Sequence, residues 1–99
     1  MAKELHREIF ELEKEVLEMG NLALEILDDS MKALSTQDIE LAKITEKKKH
    51  KIREMDANIE ANALKLIALY QPMAIDLRRL ATILKVITYL ARLGRYGKD

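Results

Sequence analysis

The chain has 99 residues, 48% apolar and only 4% aromatic, with no cysteine and a formal net charge of zero. That length makes one domain, residues 1–99, with an aliphatic core. The composition is that of an all-α protein. Without cysteine there is no disulfide, zinc–thiolate site or cysteine nucleophile, which fits a reducing compartment. No stretch approaches the roughly 20 apolar residues of a spanning helix, and Met1-Ala2-Lys3-Glu4 opens no signal core. The expected location is cytoplasmic, peripheral to an inner membrane only through a partner.

The zero net charge is unevenly spread. Residues 1–40 hold eleven acids against four bases, and residues 41–99 hold thirteen bases against six acids. An acidic first helix beside basic later ones complements itself, within one molecule or across a dimer. A helical domain this small also gains stability by self-association, so a homodimer is expected.

The first predicted helix runs from about Lys3 to Leu34. Leu5, Ile9, Leu12, Val16, Met19, Ala23, Ile26, Ser30 and Ala33 follow a four-three spacing. Beside them Phe10, Leu17, Leu24 and Met31 repeat every seven residues. Two adjacent stripes predict a wide apolar face packed between two other helices. Gly20 interrupts the helix at a cost of about 1 kcal/mol relative to alanine, and is expected where helices approach closely.

Ser35-Thr36-Gln37-Asp38 is the first break. Either hydroxyl is expected to cap the next helix, with Ser35 and Asp38 spaced as a capping box. The second helix is predicted from about Gln37 to Tyr70, with Leu41, Ile44, Ile52, Met55, Ile59, Ala63, Leu66 and Leu69 as its core face. Its middle, Glu46-Lys47-Lys48-Lys49-His50-Lys51, is polar and basic. Lys47 to Arg53 gives a nucleic-acid-binding alternative, against which stands the lack of accompanying aromatic stacking groups. His6 and His50 are isolated, so no histidine metal site is expected.

Pro72, the only proline, lacks an N–H and fixes φ, so it predicts a corner and the start of the third helix. Met73, Leu77, Leu80, Leu84, Ile87 and Ala91 form that helix's stripe, flanked by Ile83, Val86, Leu90 and Leu93. Gly94 and Gly97 lie near its end. The pattern has no clear stop before Asp99, so a helix continuing past it is expected. Three long helices and two tight corners predict an antiparallel up-down-up three-helix bundle.

No catalytic constellation is present. There is no Ser-His-Asp or Cys-His set, no glycine-rich phosphate loop and no His-x-x-x-His. The chain is not expected to be an enzyme.

Asn58-Ile59-Glu60 and the run from Ala63 to Arg79 resemble the signature of the PhoU family, which regulates phosphate uptake and phosphate signalling. Its centre here is Ile67-Ala68-x-x-Gln71-Pro72-x-Ala74-x-Asp76-Leu77-Arg78. Phe10, Leu12, Met19-Gly20, Ala33-Leu34, Lys85-Val86-Ile87 and Leu90-x-Arg92-Leu93-Gly94 are similar to the family's flanking words. The resemblance implies a structural signature at Gln71, Pro72, Asp76 and Arg78, and a non-enzymatic adaptor acting on a phosphate ABC transporter ATPase or a sensor kinase. Family members usually carry two such repeats, and this chain is one.

The resemblance also implies acids that bind metal clusters, on the third and second helices. Here the third-helix positions read Tyr89, Ala91 and Arg95, and bases stand near Lys49 and Arg53. Only Asp56 and Glu60 remain, as weak candidates for a divalent metal or iron. No metal cofactor is expected, and Lys49, Arg53, Arg92 and Arg95 become a candidate partner-facing positive surface. The alternative from a different class is a helical oligomerisation module of a larger transport or sensory protein.

Overall fold

A computed structural model of the chain describes residues 2–95. Its three helices are α1 (Ala2–Thr36), α2 (Ile39–Tyr70) and α3 (Ala74–Leu93). They form an antiparallel bundle in which each helix touches both others. The bundle is a rod of 52 × 16 × 16 Å between Cα extents. Its long axis matches a helix the length of α1, at about 1.5 Å per residue.

The core is aliphatic. Ile9, Met19 and Ile26 of α1, Ile52 and Ile59 of α2, and Leu80 and Ile87 of α3 are essentially sealed from solvent. These residues lie on the stripes that set the helix period. The second α1 stripe behaves differently from its expectation. Phe10, Leu17, Leu24 and Met31 are 56%, 70%, 62% and 65% exposed. They sit opposite the Leu12–Met19–Ile26 line, and three helices leave that side of α1 uncovered. Ile44 and Leu69 on α2, and Met73 and Leu77 at the start of α3, are also exposed rather than core.

The first corner is built differently from the expected hydroxyl cap. Ser35 and Thr36 donate backward to the Lys32 carbonyl. Asp38 is the N-cap of α2, its carboxylate accepting from the Leu41 N–H. Gln37 takes a left-handed conformation, φ 55°. The Asp38 N–H reaches back to the Ala33 carbonyl, the long bond of a Schellman turn.

At the second corner Gln71 is left-handed, φ 44° and ψ 62°, and its N–H still reaches the Ile67 carbonyl. Met73 is the N-cap of α3. Pro72 therefore stands outside the helix rather than in its first turn: it bars α2 from continuing, and α3 starts two residues later. α3 ends at Leu93 with Gly94 as its C-cap. Gly97 and the expected continuation past Asp99 lie outside the described residues.

The two glycines within the description differ. A Cβ on Gly20 would meet Leu90 Cδ1 at 3.9 Å, ordinary contact, so the bundle itself does not require glycine there. A Cβ on Gly94 would stand 3.0 Å from Ile52 Cγ2, so the end of α3 lies hard against α2.

Candidate functional site

The corner word fastens α3 to α1. Asp76, in the first turn of α3, accepts from His6 Nε2 at 3.1 Å. One turn on, Arg79 grips Glu13 with two bonds, Nε to Oε2 at 3.1 Å and Nη2 to Oε1 at 2.7 Å. A bidentate guanidinium–carboxylate pair fixes orientation as well as distance. Gln71 and Arg78 are exposed and Pro72 is half-buried. The Arg78 carbonyl accepts the Thr82 hydroxyl. His6, isolated in sequence, thus has a partner 70 residues away, and Arg79 rather than Arg78 carries the tie to α1.

The four candidate cations are placed unequally. Lys49 is buried, its ammonium 3.5 Å from Glu46. It lines a groove between α1 and α2 with Ser30, Ala33, Leu34, Ala42 and Thr45. The Ser30 hydroxyl oxygen is buried there without a hydrogen-bond partner among the described residues. Arg53, Arg92 and Arg95 are exposed. Arg95 follows Gly94, which packs on Ile52, and so sits beside Asp56 of α2. Asp56 and Glu60 lie one helical turn apart. Burial pushes the Asp56 carboxyl above the usual carboxylate range, Glu60 adds to that, and Arg95 opposes it.

The basic run of α2 is partly spent inside the bundle. Lys48 reaches Asp29 at 2.6 Å and Glu25 at 3.1 Å, both on α1. With Lys49 buried, only part of Lys47–Arg53 is free for an outside anion.

Residues 16–99 match the PhoU domain. The chain belongs to the PhoU domain family. It is 41% identical over 90 residues to the phosphate-specific transport system accessory protein PhoU homolog of Clostridium acetobutylicum, covering 90% of this chain and 41% of that protein. It is 37% identical over 90 residues to the Aquifex aeolicus homolog, covering 91% and 41%. Against the Streptococcus pneumoniae (TIGR4) homolog it is 34% identical over 94 residues, covering 95% and 44%. The chain therefore spans less than half the length of these curated relatives. No solved structure matches it significantly.

The metal clusters implied by the PhoU resemblance fit this chain's residues poorly. Among the described residues no group of three or more His, Asp or Glu side chains could hold an ion. Asp56 and Glu60 supply two carboxylates beside a guanidinium, whereas a hard divalent cation takes about six oxygen ligands. Among the described residues no helix is long and apolar enough to cross a membrane.

Sequence reasoning missed Glu13, Arg79, Asp29 and Lys48 as structural ties. The only signal was acid-rich α1 set against basic later helices. Spacing along the chain cannot pair residues 66 positions apart.

Proposed function

We propose that this PhoU domain is a non-enzymatic accessory regulator of phosphate uptake or phosphate-responsive signalling, working by helix-face docking. The observation that carries this reading is the family match over residues 16–99, with relatives named as phosphate-specific transport system accessory proteins. The partner is a cytoplasmic component, a phosphate ABC transporter ATPase or a sensor kinase. The chain works there as a homodimer. The docking surface is the end of α3 against α2, where Arg53, Arg92 and Arg95 supply fixed positive charge in place of metal. Exposed cations of this kind steer association and set specificity more than they add affinity.

The test is complementation. The chain is expressed in a bacterium lacking its own PhoU protein and carrying a phosphate-repressed reporter. Restored repression in high phosphate is expected. A folded, well-expressed chain that leaves the reporter derepressed overturns the reading.

A further inference from the structure

The uncovered side of α1 carries a row of residues at coiled-coil spacing, six of its eight positions apolar. Phe10, Leu17, Leu24 and Met31 alternate with Glu13, Gly20, Leu27 and Leu34 at three-four spacing. The first four and Leu34 are more than half exposed. Glu13 is neutralised by Arg79. The seam is 25 residues long, about 36 Å at 1.5 Å per residue. That is far longer than the scattered exposed apolar residues ordinary on a monomer.

We propose that this seam docks a second copy of the chain, α1 against α1, antiparallel about a two-fold axis. The occupant is argued from self-complementarity. An antiparallel register that overlaps the whole seam sets Phe10 against the partner's Leu34, Leu17 against the partner's Leu27, and Gly20 against the partner's Leu24. The flanking positions of an antiparallel pair meet their own kind across the axis. Those flanks here are Lys14, Asn21 and Asp28. The same register brings Lys14 to the partner's Asp28, twice by symmetry, and Asn21 to the partner's Asn21. An isologous interface needs this pattern, because each patch must meet itself.

A further observation points to the same occupant. Gly20 lies mid-helix, where the bundle offers no steric reason for glycine, since Leu90 is the nearest obstacle at 3.9 Å. At the centre of the seam it makes room for the partner's Leu24. Two stacked α1 helices with α3 on either side make a four-helix layer, whose contact is long enough for the roughly 1,200–2,000 Å² of a stable interface.

This inference rests on the homodimer reading above and names its face. The experiment is sedimentation equilibrium on the whole chain, with circular dichroism alongside. The wild type is expected to be a dimer. Leu17→Glu with Leu24→Glu changes only exposed side chains, so helicity should persist while dimerisation weakens at least ~100-fold. Lys14→Glu should weaken the dimer, and adding Asp28→Lys should restore it. Asn21→Cys, the only thiol in the variant, should oxidise readily to a disulfide-linked dimer. Glu54→Cys, exposed on α2, should not. A dimer untouched by the paired glutamates, with no rescue by charge exchange, places the interface elsewhere and overturns the inference alone. A monomeric wild type overturns the homodimer reading with it. Neither result bears on complementation.

Discussion

Gln71→Gly isolates the backbone role of the second corner. The residue sits at φ 44° and ψ 62°, immediately before a proline. A left-handed conformation costs a side-chain-bearing residue about 1–2 kcal/mol, and the following ring adds crowding. Glycine removes that cost. Its greater freedom in the unfolded chain gives back about 0.5–1 kcal/mol. The Gln71 side chain is exposed, so little packing is lost. The balance is a gain of about 0.5–1 kcal/mol. For a domain of this size 1 kcal/mol shifts Tm by about 4–8 °C, so the expected rise is roughly 2–8 °C. Thermal unfolding followed by circular dichroism, at one protein concentration for every variant, measures it. Gln37→Gly, at φ 55° without a following proline, is the control and should gain slightly less. An unchanged or lowered Tm for Gln71→Gly, with the control stabilised, would refute the reasoning. The Gln71 side chain would then hold the corner.

Three other perturbations probe separate parts of the bundle. In a double-mutant cycle of Glu13→Gln and Arg79→Ala, urea unfolding should give a coupling of about 0.5–1 kcal/mol, because the pair is partly exposed, and about 1 M salt should reduce it. Ile87→Ala empties a site that is 1% exposed. Its expected cost is about 2–5 kcal/mol, against little change in monomer unfolding for Leu17→Ala on the exposed seam. Asp56→Asn should raise Tm at neutral pH. The folded protein holds that carboxyl above its ordinary range, so the protonated form favours folding at low pH. That contribution is lost as pH rises through the raised value, and the charge then destabilises the fold. The advantage of Asn should fade as pH falls through the raised value and be gone below about pH 3, where the carboxyl is protonated in both states. An advantage that grows on acidification would reverse the sign of the argument.

Helix number, order and core stripe were legible because they rest on local period. Ile9, Met19, Ile26, Ile59 and Ile87 are core at the positions their spacing gives. The α1 stripe of Phe10, Leu17, Leu24 and Met31 was misassigned for a physical reason. Period shows that a face is apolar, and it cannot show whether the same chain supplies a helix to cover it. The caps were half legible. Asp38 was read as part of a box, but Ser35 and Thr36 found a nearer acceptor in the Lys32 carbonyl. The site was least legible. Lys49 and Arg53 look equivalent four residues apart, yet α2 turns Lys49 inward and Arg53 outward. His6–Asp76 and Glu13–Arg79 depend on the crossing of α1 and α3, which the family signature implies only as a fold.

Whether fixed cations stand in for metal on the face formed by Arg53, Arg92 and Arg95 is read most directly from metal content. The chain is purified without chelators or an affinity tag that binds metal, and its metals are quantified by plasma mass spectrometry. Iron, zinc and other divalent ions far below one per chain are the predicted result. A stoichiometric ion, lost when Asp56→Asn and Glu60→Gln are introduced together, would contradict it.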